Sequence, residues 1–141
     1  MENLSSTTLQ YDAALHKCES LFKKKTADYG TAWRILRTSS LTDQIFIKAS
    51  RIRTLQEVGE SKVDEGIVPE FIGIVNYSLM ALIQCELPSE HSLELPVEEA
   101  NHRFRKAAET TRDLMLKKNH DYGEAWRDMR VSSLTDLILM K

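Results

Sequence analysis

Residues 20–48 read SLFKKKTADYGTAWRILRTSSLTDQIFIK, and residues 113–141 read DLMLKKNHDYGEAWRDMRVSSLTDLILMK. The offset is 93 residues with no gap, and 17 of the 29 aligned positions are identical. Chance does not produce such identity, so we interpret the chain as a duplicated module. Residues 20–48 are called repeat 1 below, and residues 113–141 are called repeat 2.

Apolar residues in and around the repeats recur at helical spacing. The pattern predicts helices over residues 7–25, from Ser40 to Gly59, and over 69–85, and it repeats from residue 97 onward. No segment alternates with period two, and the chain has only 5 Gly and 3 Pro. The sequence therefore predicts an all-α fold, an antiparallel helical bundle.

Local signals mark where these helices begin and end. Thr7 with Gln10 resembles a capping box, and Ser40 with Asp43 resembles an N-terminal cap. Gly30, which follows Asp-Tyr, can adopt the left-handed conformation that stops many helices.

The repeats also set the domain organisation. We expect a first module over residues 1–85, a linker over 86–96 and a second module over 97–141. Repeat 1 is followed by 36 residues, 49–84, that have no counterpart after repeat 2, so we expect the second module to be truncated. Its apolar stripes would lack a third helix of their own, which predicts a homo-oligomer.

Composition excludes several classes of protein. With 141 residues, 42% hydrophobic and 28% charged, the chain is globular rather than disordered. The longest apolar run, Phe71–Ile83, is shorter than the ~20 residues of a membrane span, so we expect a core helix and no membrane. No secretory signal is visible and Cys18 and Cys85 are too few for a disulfide framework, which favours the cytoplasm.

Charge is unevenly distributed. The net charge is −2, but residues 63–102 contain eight acids and no Lys or Arg, which leaves the rest at +6. This asymmetry fits an anionic ligand, or simply solvated helix faces.

The shared motif D-Y-G-x-A-W-R-x-x-R-x-S-S-L-T-D has residue types that would accept a nucleotide or a nucleic-acid backbone. Its two arginines are three residues apart and suit phosphate oxygens, and its Tyr and Trp rings could stack on a base. The candidates are Tyr29, Trp33, Arg34 and Arg37 in repeat 1, and Tyr122, Trp126, Arg127 and Arg130 in repeat 2. The alternative is structural: core Trp, a Tyr-Gly helix stop, and arginines paired with nearby carboxylates.

A second group of candidates occurs only in the first module. Lys48 and Arg51 could bind phosphate, and Asn76 lies in an apolar helix where a buried amide needs a protein partner or a ligand. Asp64 and Glu65 could hold Mg²⁺, which prefers oxygen ligands.

The tandem KK-x-x-DYG-x-AWR-x-x-R-x-SSLTD-x-I-x-x-K, followed by VDEGI and an apolar helix with NY, resembles the nucleotide modification associated domain 1 family. The resemblance covers roughly residues 14–141. It implies an all-α domain whose bacterial and phage members are linked by genomic context to modified-nucleotide metabolism, and it supplies no reaction.

A more distant similarity is to all-α nucleoside triphosphate pyrophosphohydrolases, but their E-E-x-x-E and E-x-x-D helices are missing here. We therefore expect a helical nucleotide-binding protein whose ligand is a nucleotide or another phosphate, and whether it acts on that phosphate stays open. The alternatives are a non-catalytic module that binds nucleic acid or protein, and a structural helical dimer.

Overall fold

A computed structural model describes residues 6–59, 66–88 and 90–141. Within these residues the chain is helical and contains no β-strand, which confirms the all-α class. The helices are α1 (Ser6–Tyr29), α2 (Thr38–Val58), α3 (Val68–Glu86), α4 (Val97–Tyr122) and α5 (Val131–Met140). Short 3₁₀ turns, Ala32–Ile35 and Ala125–Asp128, lie between α1 and α2 and between α4 and α5.

The glycine stop in each repeat works as predicted. Gly30 has a φ of 66° and its N–H donates to the Thr26 carbonyl at 2.8 Å. Gly123, the equivalent residue of repeat 2, has a φ of 68° and donates to the Asn119 carbonyl at 2.8 Å. A side chain disfavours this positive φ, so glycine ends α1 and α4 without strain.

The predicted N-terminal caps are wrong. α2 begins at Thr38, with Arg37 as its N-cap residue and no capping side chain, so Ser40 lies inside the helix. Thr7 and Gln10 lie within α1 and contact repeat 2: Thr7 Oγ1 donates to Glu124, and Gln10 Oε1 accepts from Arg127 at 2.6 Å. These tertiary contacts outweigh the local capping preference.

The main core lies where α1, α3 and α4 meet. Phe22 of α1 stacks on Phe104 of α4 with ring centroids 4.3 Å apart. Leu79 and Ile83 of α3 belong to the same cluster. A second cluster joins Ala49 and Ile52 of α2 to Ile74 of α3. Ile138 and Leu139 of α5 pack against this cluster, and so do Ile45, Ile67 and Phe71.

One described helix, α3, is long and apolar enough to cross a membrane by length and composition alone. It packs against α1, α2 and α4. Much of its surface is nevertheless uncovered, because only 28% of its most apolar window is buried.

Candidate functional site

A pocket opens between the C-terminal end of α1, the first 3₁₀ turn, α2 and the first half of α3. We call it the α1–α3 pocket, and its volume is about 540 Å³. This size falls in the range of small-molecule sites. The lining residues are Leu21, Phe22, Lys25, Thr26, Tyr29, Gly30, Ala32, Trp33, Leu36, Lys48, Pro69, Glu70, Gly73, Asn76, Tyr77 and Met80.

The inner part of the pocket is apolar and includes Trp33. Its indole ring packs against Phe22 with centroids 6.3 Å apart. Trp33 Nε1 is buried and has no hydrogen-bond partner among the described residues. A buried donor without a partner costs about 1–3 kcal/mol, and the residue that carries it lines the pocket.

Asn76 contributes a second incompletely bonded group. The residue is only 6% exposed, and its Nδ2 donates to the Cys18 carbonyl at 3.1 Å. Its Oδ1 is buried and accepts no hydrogen bond within the described part of the chain. The protein thus fixes the orientation of this amide through one end and leaves its acceptor end unused.

A charged group forms the α2–α3 side of the pocket. Glu70 is 7% exposed, and its carboxylate lies 3.3 Å from Lys48 Nζ and 3.5 Å from Arg51 Nη1. Two cations share one anion, so the group keeps an excess positive charge. The Lys48 ammonium also lies 5.9 Å from the centroid of the Tyr77 ring.

Gly73 allows Lys48 to reach this position. A Cβ at Gly73 would lie 2.6 Å from Lys48 Cε and 2.7 Å from Cδ. The lysine stem therefore lies directly across the α3 backbone, where the absence of a side chain leaves room for it.

The rim of the pocket is polar and open. Tyr29 is 76% exposed, and Lys25 of α1 is exposed as well. Together with Lys48 and against Glu70, Lys25 gives the lining a net charge of +1. An aromatic interior with a positive rim suits a ligand that has a flat ring and an anionic group.

The structure brings together four of the predicted ligand residues: Tyr29, Trp33, Lys48 and Asn76 line the α1–α3 pocket. Arg51 lies beside it, on the other side of the Glu70 carboxylate. Four other lining residues, Glu70, Gly73, Tyr77 and Met80, are three or four residues apart in α3. This spacing puts them on one helix face, which is the sequence signal that places them together.

The structure corrects the prediction that Arg34 binds phosphate. It is 7% exposed and is bonded within the protein: its guanidinium donates to Gln84 Oε1, to the His91 carbonyl at 3.2 Å and to the Ser92 carbonyl at 3.2 Å. Gln84 Nε2 returns hydrogen bonds to the Arg34 and Leu36 carbonyls, at 2.8 and 2.7 Å. Arg34 therefore holds the linker onto α3, whereas Arg37 is exposed and lines no part of this pocket.

The repeat 2 candidates do not line the α1–α3 pocket. Tyr122 is 80% and Trp126 is 41% exposed, and Trp126 Nε1 donates to Asn119 Oδ1 at 3.2 Å. Arg127 donates to Thr7 Oγ1 at 2.6 Å and lies over the Trp126 ring. Arg130 is exposed.

The predicted Mg²⁺ ligands Asp64 and Glu65 lie outside the described residues, so Mg²⁺ binding stays a prediction. Among the residues that are described, no group of three or more His, Cys, Asp or Glu side chains could hold a metal ion. Glu70 is held by two cations, which makes it a poor metal ligand on its own.

Comparison with protein families adds independent evidence. No curated protein and no solved structure matches the chain. The model of the nucleotide modification associated domain 1 family matches residues 25–85 and 118–141. These segments contain the repeated motif and, in the first, the α2–α3 half of the pocket. The two segments cover more than half of the sequence, and the chain belongs to the nucleotide modification associated domain 1 family.

Proposed function

We propose that this protein binds a nucleotide in the α1–α3 pocket. The observation that carries the proposal is the convergence of an indole ring, an amide with an unused acceptor and a cationic group on one pocket. Family membership supports it, because the family is described as associated with nucleotide modification.

The apolar interior is the proposed base site. A nucleobase is flat and stacks on aromatic side chains, and its edge carries both donors and acceptors. In this arrangement Asn76 Oδ1 accepts from the base and Trp33 Nε1 donates to it, so that both buried atoms gain a partner that the described residues do not supply.

The cationic rim is the proposed phosphate site. Lys48 and Arg51 together exceed the charge of Glu70 by one, and Lys25 adds a further cation. A phosphate can therefore bind without removing Glu70 from its partners. The proposal concerns binding. Release of phosphate or pyrophosphate from the bound ligand would show that the protein also has enzymatic activity.

Tryptophan fluorescence provides a direct test, because the chain contains only 2 Trp. In Trp126→Phe the remaining indole is Trp33, inside the pocket. We expect a saturable change in its emission when nucleoside mono-, di- or triphosphates are added at up to millimolar concentration. Trp33→Phe is the matched control, and its remaining Trp126 should respond only as free tryptophan does, through light absorption by the nucleotide.

A second pair of variants tests the phosphate end. Lys48→Gln should weaken binding of a nucleoside triphosphate about tenfold, because a charge-assisted hydrogen bond is lost, and should leave the unphosphorylated nucleoside unaffected. Arg37→Gln also removes one cation but lies outside the pocket, so its affinity should match the wild type. The absence of a saturable response to every nucleotide, or equal losses in the two variants, would contradict the proposal.

A further inference from the structure

Two ion pairs between α1 and α4 are related by the repeat offset. Asp12 binds Arg112 through two hydrogen bonds, at 2.7 and 3.0 Å, and Arg105 binds Glu19. Adding the 93-residue offset converts position 12 to 105 and position 19 to 112. Exchanging the two modules therefore converts the Asp12–Arg112 pair into the Arg105–Glu19 pair, and the reverse. A two-fold axis relates residues in this reciprocal way.

Helix packing follows the same relation. α1 packs on its counterpart α4, and α2 packs on its counterpart α5. α3 is the exception, because no described helix stands in the same relation to it. The exchange nevertheless identifies the surface on which such a helix would lie.

The contacts of α3 define that surface. α3 packs on Phe104, Ala107 and Ala108 of α4, whose counterparts on α1 are Tyr11, Ala14 and Leu15. These three residues line an apolar groove of about 490 Å³. α3 also contacts Ile45 and Lys48 of α2. Their counterparts, Ile138 of α5 and Lys141 directly after it, line a second groove of about 700 Å³.

The two grooves are continuous along one side of α3. Ile74 and Ser78 line both of them, and Val75 and Leu82 in the first groove are 38% and 44% exposed. We call this combined surface the open face. It borders the α1–α4 and α2–α5 interfaces and is lined mainly by apolar residues, as binding surfaces often are.

We infer that the open face binds an apolar helix of the α3 type. Its aliphatic side chains pack on Tyr11, Ala14 and Leu15 as Leu79 and Ile83 pack on α4. The occupant is a separate helix and not α3 of a second copy, because Leu79 and Ile83 are 4% and 0% exposed within their own chain and are not free to enter another groove.

A peptide tests this assignment. A labelled peptide with the sequence of residues 68–86 and a terminal lysine tag for solubility is titrated with the whole chain, and binding is followed by fluorescence anisotropy. We expect saturable binding of one peptide per chain. A peptide with Leu79→Asp and Ile83→Asp should not bind, because two carboxylates would enter an apolar groove.

Two adjacent alanines of α1 supply the protein variants. Ala13 and Ala14 are both exposed, but only Ala14 lines the groove. Ala14→Arg should weaken peptide binding about tenfold or more, whereas Ala13→Arg should not, and both variants should melt at the wild-type temperature.

Other results would overturn the inference. One such result is that the peptide shows no saturable binding. Another is that the Ala14→Arg and Ala13→Arg variants bind the peptide equally well. The inference is also overturned if light scattering shows that Ala14→Arg converts a dimer of this chain into monomers. It is overturned as well if Ala14→Arg abolishes binding of the chain to phospholipid vesicles. In those cases a second copy or a lipid surface covers the open face.

Discussion

Replacing Arg34 by alanine should destabilise the fold strongly, although the residue belongs to a motif with the chemistry of a phosphate site. Arg34 is only 7% exposed, and its guanidinium joins the first 3₁₀ turn to α3 and to the linker. The loss can be worked out from its partners. Gln84 Oε1 loses a charged donor at a half-buried position, which costs about 2 kcal/mol. The His91 and Ser92 carbonyls lie in a more exposed segment where water can replace the guanidinium, so they add about 1 kcal/mol together.

The total of about 3 kcal/mol is a large part of the 5–15 kcal/mol that stabilises an ordinary domain. Urea unfolding followed by far-UV circular dichroism measures it, and the midpoint should fall by about 1–2 M. Arg34→Lys should recover little, because an ammonium cannot reproduce the fork that reaches three acceptors.

Repeat 2 contains the matched control. Arg127 occupies the same motif position, but its side chain is 38% exposed, and of its partners only Thr7 is buried, whereas Gln10 and Glu124 are exposed. Arg127→Ala should therefore cost no more than about 1 kcal/mol. Equal losses in the two variants would refute the reasoning. So would an Arg34→Ala protein with wild-type stability that no longer binds a nucleotide, because Arg34 would then contact the ligand.

Two further predictions concern titratable groups. The hydrogen bond from Arg112 lowers the pKa of Asp12 below its ordinary 3.8. The ion pair should therefore stabilise the fold above that pH and be lost as the pH falls through the lower native pKa, and an acid titration of Asp12→Asn should lack this component. Burial raises the pKa of the Cys18 thiol, whereas Cys85 is exposed. A maleimide should label one thiol quickly and the other only on unfolding, and Cys85→Ser should remove the fast phase.

The helices could be predicted from the sequence because their signals are local. Apolar spacing predicted the helices, and the glycine at position 30 predicted the end of α1. The ring of Trp33 and the amide of Asn76 marked them as candidates, and both line one pocket. The role of Arg34 could not be predicted, because its partners lie 50 to 58 residues further along the chain. The capping preference of Ser40 also misplaced the start of α2, which begins at Thr38 without a capping side chain.

The repeats show how little a motif alone determines. Trp33 and Trp126 occupy identical sequence positions, yet Trp33 lines a pocket and Trp126 is 41% exposed. The difference is α3, which supplies Glu70, Gly73 and Asn76 to the first module. If a helix of the α3 type binds the open face, it should approach Lys141 as α3 approaches Lys48, and it should cover Trp126. The emission of Trp126 in the Trp33→Phe variant should then shift to shorter wavelength when the residue 68–86 peptide is added. That shift would connect the environment of the repeat 2 motif directly to the helix that lies beside it.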